Sequence, residues 1–263
     1  MKQSRGAKIV AQVICAITAI IFCYPLALML IKSFDRAGVR NYAIVFEKVD
    51  LVPNFITSLW VVFGTLAIVS VVTSFAAFSF SKIDFTGKRV IYYVLLSGMM
   101  VPTAAVIFPL FQIVKLLKLN NTPLALILPY ATSNAIFNLM VLKNFYDGLP
   151  NELIEASFID GAGYMRIFLS VMVPIAMPGL ALVLVQTFLS SWNELQMAMI
   201  YINKAELQPL SVVPLRFAQQ RNATFPIEVL YACLMVCLSP IAVFYCFAQR
   251  FMVSGLTAGA VKG

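Results

Sequence analysis

The sequence predicts an all-α membrane protein with six transmembrane helices, and its composition is the first reason. Of the 263 residues, 61% are hydrophobic and 11% are charged, whereas an ordinary soluble domain contains about 45–50% and about 25%. The mean hydropathy is +0.91. Because a helix needs about 20 apolar residues to cross a bilayer, this composition suffices for about six to eight spans. Little material remains for a water-soluble domain, so a single membrane domain is expected over residues 1–263.

Apolar runs separated by polar turns place the spans along the chain. The first run follows a basic N-terminus, and it exceeds the apolar region of a signal peptide, about 7–15 residues, so we expect it to stay as an anchor. The second run is rich in small residues, which let neighbouring helices approach closely. The third contains Pro102 and Pro109 and should be bent or broken. The predicted spans are 9–31, 56–80, 90–114, 123–142, 174–192 and 230–247.

The orientation of these spans is only weakly encoded in the charges. An even number of spans places both termini on the same side of the membrane. The net charge is +8, but with the N-terminus inside, the 19 basic residues divide ten to nine between the two sides. Because orientation follows the bias of Lys and Arg in short loops, the clusters at residues 2–8 and 82–89 favour a cytoplasmic N-terminus.

Several classes of function are disfavoured by residues that the sequence lacks. It contains no histidine, which excludes His-based acid–base catalysis and His-containing zinc sites. Its five cysteines lie in apolar runs, where packing is the expected role. Positive charge is scattered rather than gathered in a stripe, so nucleic acid is not an expected partner. Few charges fall within the spans, which disfavours a proton-coupled carrier.

The segment 143–173, between the fourth and fifth spans, has the pattern of two short helices. Pro150 can open the first helix, and Glu152 and Glu155 then lie in its first turns, where the helix dipole favours negative charge. The glycine-containing stretch 160–163 ends that helix, and a second helical stretch follows. Two interpretations are open: a helix lying passively at the membrane interface, or a docking helix presented to a soluble partner.

The residues of this segment resemble a known signature. Glu155-Ala156-Ser157, followed by Gly161 and then Val173-Pro174, resembles the EAA signature of the membrane-spanning permease subunits of maltose-type carbohydrate ATP-binding-cassette importers. That signature reads Glu-Ala-Ala, three residues, Gly, and an apolar helix to Leu-Pro, so Ser157 and Val173 are mild departures. Further similarity lies at 191–194, 249–251 and 255–263. Together these matches cover essentially the whole chain.

The resemblance implies a type I importer permease fold with a cytoplasmic coupling helix, in a bacterial inner membrane, with both termini cytoplasmic. It implies that the chain is non-catalytic and forms half of a pore for a sugar or oligosaccharide. The implied partners are a second homologous permease, two ATP-binding subunits that hold ATP and Mg, and an extracellular solute-binding protein. The chain itself is expected to bind no cofactor, since Gly87-Lys88 lacks the first glycine of a phosphate loop. A stand-alone secondary transporter is the alternative, and a membrane-embedded enzyme ranks third.

Four groups of candidate site residues follow. The resemblance implies ATPase coupling through Glu155, Ala156, Ser157, Asp160, Gly161 and Ala162. It implies that the tail 254–263 contacts the ATPase subunits through Thr257, Gly259 and Lys262, the alternative being a disordered terminus. Inward polar side chains that could contact substrate, or equally join helices, are Asn134, Asn138, Gln186, Asn193 and Glu194. In the outer loop 194–229, candidates for contact with the binding protein, or for a merely solvated loop, are Arg216, Gln219, Gln220, Arg221 and Asn222.

Overall fold

A computed structural model describes residues 5–219 and 225–260, and the regular structure of these residues is entirely helical, as predicted. The α-helices in chain order are α1 (Arg5–Ser33), α2 (Arg40–Lys48), α3 (Leu51–Lys82), α4 (Lys88–Ser97), α5 (Thr103–Leu116), α6 (Leu124–Asp147), α7 (Glu152–Ile159), α8 (Tyr164–Ile167), α9 (Val173–Ile175), α10 (Met177–Asn193), α11 (Gln196–Tyr201), α12 (Val213–Gln219) and α13 (Ile227–Ala260).

The described residues contain four helices that are long and apolar enough to cross a membrane, and six if each of two bent helix pairs counts as one span. The first bent pair, Lys88–Met100 with Thr103–Leu116, turns by 103°. Its break lies at Pro102, which has extended backbone and precedes α5, as expected of a residue that has no N–H to continue the preceding helix. Pro109, by contrast, lies inside α5, which continues through it.

One compact unit comprises the described parts of Met1–Leu51 and Val213–Pro240. Its α1 is apolar on all sides, and none of the most apolar stretch of this helix is buried. The turn after α1 is held by Asn41, whose amide donates to the carbonyl oxygens of Ser33 and Asp35 at 2.9 and 3.0 Å. Lipid or another chain must therefore cover the sides of α1.

The second unit, Val52–Val212 with the described part of Ile241–Gly263, contains two apolar cores. One gathers Phe78 of α3 and Tyr146 of α6 with the buried residues that follow α7, among them Ile167 and Met172. The other gathers residues of α3, α5, α6 and the segment after α10. Helix α6 contributes to both cores, so it connects the segment 143–173 with the segment 194–212.

Three differences from the predicted boundaries bear on the candidate site residues. Residues 143–147, assigned to the segment between the fourth and fifth spans, are the last turn of α6. Residue 174, the predicted start of the fifth span, lies in α9, and the chain bends at Ala176 before α10 begins at Met177. Helix α13 extends to Ala260, so residues 254–260 are helical rather than a flexible tail.

Candidate functional site

Helix α7 lies in the segment 143–173 and is anchored on one side and exposed on the other. We call this segment the coupling segment, after the role that the resemblance implies. Ile154 is buried in the core that also contains Phe78 and Tyr146. Four of the six coupling candidates lie on the exposed surface, namely Glu155, Ala156, Asp160 and Gly161, whereas Ser157 and Ala162 are half-buried. The helix therefore has an inward face that fixes its position and an outward face that is open to a partner.

The turn that ends α7 explains why the signature needs a glycine. Gly161 has φ +77°, a left-handed conformation that costs other residues about 1–2 kcal/mol. Its N–H donates to the carbonyl of Phe158 at 2.9 Å, and the N–H of Ala162 donates to the carbonyl of Ser157 at 3.0 Å. This pair of bonds is the Schellman motif, which satisfies the last free carbonyls of a helix. The direction in which the chain leaves α7 is thus set by backbone geometry.

Apolar side chains enlarge the exposed surface beyond the signature residues. Ile159 is 87% exposed, and Phe158 contacts Tyr164 edge to face with a centroid distance of 5.0 Å. Met165 and Leu169 are also exposed. An exposed apolar patch of this kind is typical of an interaction surface. These apolar side chains can thus be buried against a partner, and Glu155 and Asp160 offer carboxylates beside them.

The connection from α7 to α10 is bent rather than straight. The segment Phe168–Met172 forms a π-helical turn, and the helix pair Tyr164–Ile175 and Met177–Asn193 turns by 77° at Ala176. Phe168 and Met172 are buried, and Phe168 stacks on Phe75 of α3 with centroids 4.4 Å apart. The second helical stretch that the sequence predicts is therefore present, but the chain bends by 77° before α10 begins.

Two of the candidate pore residues join α6 to α10. Asn138 is 1% exposed, and its amide donates to Thr187 Oγ1 at 2.9 Å. Asn134 Oδ1 accepts a hydrogen bond from Ser190 at 2.6 Å. The two asparagines are four residues apart on α6, and their partners are three residues apart on α10. The two helices are thus joined by two parallel polar bridges. Gln186 is exposed.

The other two candidates lie at the end of α10 and differ from each other. Asn193 is exposed, and its amide donates to the carbonyl of Leu189 in its own helix. Glu194 is half-buried and accepts hydrogen bonds from Tyr130 Oη at 2.5 Å and from the backbone N–H groups of Met197 and Ala198 at 2.9 and 3.2 Å. Its carboxylate therefore caps α11 and ties it to α6. Contact of any of these five residues with substrate remains a prediction.

The segment 194–212 is packed rather than solvated, so the solvated-loop expectation is wrong for this part of 194–229. Tyr201 is fully buried. This burial and, to a smaller extent, the charge of Glu194 raise the pKa of its hydroxyl group to about 12. The hydroxyl thus stays protonated and donates to the carbonyl of Ile107 at 2.6 Å. Asn54 of α3 donates to the carbonyls of Ala205 and Gln208 at 2.8 and 2.6 Å. These hydrogen bonds of amide and hydroxyl groups hold the segment in place, although its polar sequence would predict a mobile loop.

The remaining candidates are only partly described. Arg216 is half-buried in α12, and Gln219 is exposed at its end. Thr257 and Gly259 lie within the helical backbone of α13. Gln220, Arg221, Asn222 and Lys262 lie outside the described residues.

A groove of about 400 Å³ opens where the first bent pair meets α6. Its lining includes Met99 and Thr103 beside the break, and Ser133 and Phe137 of α6. A broken span beside a cavity is the arrangement that membrane proteins allow where backbone lines an internal space. The groove is thus mainly apolar with a few hydroxyl groups.

Comparison with known proteins identifies the family. A family model described as "binding-protein-dependent transport system inner membrane component" matches residues 69–257. The trehalose transport system permease protein SugB of Mycobacterium tuberculosis is 32% identical over 85% of this chain and 81% of its own length. The diacetylchitobiose uptake system permease protein NgcG of Streptomyces coelicolor is 29% identical over 93% of this chain and 85% of its own length. The arabinooligosaccharides transport system permease protein AraQ of Halalkalibacterium halodurans is 29% identical, covering 94% of both.

A solved structure has the same fold. A chain of a bacterial ABC transporter involved in the import of the acidic polysaccharide alginate matches with a TM-score of 0.78 over 95% of this chain and 99% of that chain, at 20% identity. The family match favours an importer permease over a stand-alone secondary transporter. Since that match covers most of the sequence, the chain belongs to the binding-protein-dependent transport system inner membrane components and is a non-catalytic, multi-pass permease subunit of an ABC importer.

Proposed function

We propose that this chain forms half of the translocation pore for a sugar or oligosaccharide that an extracellular solute-binding protein delivers. Permeases named for trehalose, diacetylchitobiose and arabinooligosaccharides are similar to it over most of their length. A second homologous permease completes the pore, and two separate subunits bind ATP and Mg and drive it. The coupling segment and both termini face the cytoplasm, and the segment 194–229 faces the binding protein.

The observation that carries the coupling part of this proposal is the two-sided burial of α7. Ile154 fixes the helix in the core, while Ile159 is 87% exposed next to the glycine turn. Burying one such aliphatic side chain contributes about 1.5–3 kcal/mol, whereas an exposed ion pair of Glu155 would add about 1 kcal/mol or less. The apolar residues of the outward face therefore supply most of the affinity for the ATPase, and Glu155 and Asp160 supply orientation.

The outer and tail candidates have supporting roles in the same proposal. Exposed Gln219, together with neighbouring residues up to Asn222, reaches the binding protein, and Arg216 helps to position this stretch. Thr257, Gly259 and Lys262 contact the ATPase subunits from the C-terminal end. Of the pore candidates, Asn134, Asn138 and Gln186 act from α6 and α10, where the first two also form bridging bonds. Asn193 and Glu194 bond to groups of this chain rather than to substrate.

The substrate class is tested by uptake into proteoliposomes that contain the intact importer and its binding protein. Trehalose, diacetylchitobiose and an arabino-oligosaccharide form the panel, with methionine as a non-sugar control. We expect ATP-dependent uptake of a sugar and none of methionine. Uptake that continues without ATP, or that favours methionine, would contradict the proposal.

The coupling role is tested by replacing the most exposed apolar residue of α7. Ile159→Ser should reduce co-purification of the ATPase by about tenfold or more, since the free energy of binding loses about 1.5 kcal/mol when this apolar side chain is no longer buried. Leu116→Ser is the matched control, because Leu116 is 81% exposed at the end of α5. Equal ATPase recovery in the two variants would argue against docking through α7.

A further inference from the structure

We propose that Lys82 is a positioning residue that ties the coupling helix to α3, so that displacement of α7 by the ATPase passes directly into this membrane helix. This inference rests on the proposed coupling role of α7. Lys82 is the last residue of α3. Its ammonium group donates to the carbonyl oxygen of Leu149 at 2.6 Å and to Asn151 Oδ1 at 2.7 Å. The two acceptors flank Pro150, immediately before α7.

The neighbouring residue of α3 makes a third bond to the same turn. Ser81 donates to Asp147 Oδ1 at 2.7 Å, and the other oxygen of Asp147 pairs with Lys143 at 2.7 Å. Two consecutive residues of α3 thus hold both the end of α6 and the start of the coupling segment. Hydrogen bonds that involve charged groups are shorter and stronger than neutral ones. The turn between α6 and α7 is therefore fastened to α3 at three points.

The side chain of Asn151 bonds to Lys82 instead of forming the usual N-cap hydrogen bond within α7. Asparagine is among the preferred N-cap residues, because its side-chain oxygen can accept from a free backbone N–H of the first helical turn. Asn151 occupies the N-cap position of α7, yet it makes no side-chain capping bond. Its oxygen accepts from Lys82 instead. An oxygen that could stabilise α7 internally is thus used to join it to another helix.

The tether provides a route that the chain itself does not. From α7 the covalent connection to α10 runs through a π-helical turn and a 77° bend at Ala176. A displacement of α7 must therefore change direction before it is transmitted along the chain to α10. The contact through Lys82 instead joins the start of α7 to the end of a 32-residue helix, α3. Since rigid helices carry displacement along their length, α3 is the direct recipient of the motion.

The test uses the intact importer, with its ATPase and binding protein, and measures hydrogen exchange with and without Mg-ATP and vanadate. In the wild-type importer we expect nucleotide to change exchange both in 152–159 and in 76–82. Lys82→Met should keep ATPase binding and the response of 152–159, but reduce the response of 76–82 and lower ATP hydrolysis by about fivefold, the lower end of ordinary coupling between sites. Lys82→Arg, which keeps a cationic donor, should retain both responses.

The matched control is Arg89→Met. It removes the same positive charge a few residues away, where Arg89 is exposed, and it should leave both responses intact. If Lys82→Met does not assemble, Asn151→Ala removes one acceptor and should weaken the response of 76–82 alone. A response of 76–82 in Lys82→Met equal to that in Arg89→Met overturns the tether and leaves the coupling role of α7 standing. No response of 152–159 in the wild-type importer overturns both.

Discussion

Removing the carboxylate of Glu194 should destabilise the protein rather than alter its affinity for substrate. The carboxylate accepts one hydrogen bond from Tyr130 and two from the backbone at the start of α11. A hydrogen bond to a charged group contributes about 1.5–3 kcal/mol, and a helix cap contributes about 1 kcal/mol. Glu194→Ala should therefore cost about 2.5–4 kcal/mol, with a smaller loss for Glu194→Gln, which keeps one acceptor oxygen.

The assay compares the apparent melting temperature of the purified importer with the KM for uptake of the best-transported sugar. Asn193→Ala is the control, because Asn193 is exposed and its amide bonds only within its own helix. We expect a lower melting temperature for Glu194→Ala, an unchanged one for Asn193→Ala, and the same KM in both. An unchanged melting temperature with a raised KM would refute the structural role and show that Glu194 contacts substrate.

Three further substitutions test the turn that ends α7 and the packing of α10. Gly161→Ala should lower the uptake obtained per ATP hydrolysed, because φ is +77° there and a side chain in that conformation costs about 1–2 kcal/mol. Gly163→Ala is the control, since Gly163 has a negative φ and equally open space, and it should not lower this ratio. Equal effects of the two variants would exclude backbone strain as the cause. Gly179→Ala should destabilise the importer by about 1–3 kcal/mol, because the added carbon would lie 2.5 Å from a phenyl ring of α6, and an unchanged melting temperature would contradict that tight contact. Asn138→Leu should cost about 0.6–1.7 kcal/mol by removing one bridge to α10, whereas Gln186→Leu at an exposed site should cost less; the reverse order of melting temperatures would disprove the bridge.

Local sequence patterns predicted those parts of the site that depend on neighbouring residues. Pro150 and the acidic residues after it indicated a short helix, and α7 occupies 152–159. Gly161 indicated a tight turn, and its φ is positive. Pro102 indicated a broken span, and the helix pair bends there by 103°. Each of these signals acts within about one helical turn, so no knowledge of distant contacts is needed.

Polar partners were harder to predict, because the sequence shows which groups need hydrogen bonds but not where the partners lie. Asn134 and Asn138 were recognisable as an inward-facing pair, yet their partners on α10 lie 56 and 49 residues away. Tyr130 and Lys82 were not among the candidates at all. A charged residue at the end of an apolar run resembles an ordinary membrane-boundary residue, and only its contact with Asn151, 69 residues later, distinguishes it.

That the protein is helical, resides in a membrane and carries an EAA-like signature could be predicted from the sequence alone. Composition and short-range pattern are sufficient for this, because partition into a bilayer depends on apolar content and a helix satisfies its backbone internally. Three findings emerged only from the folded chain: the segment 194–212 is packed, the path from α7 to α10 is bent, and Lys82 holds the turn between α6 and α7. These outcomes depend on which distant side chains meet in the fold, where a polar group that leaves solvent must find a partner.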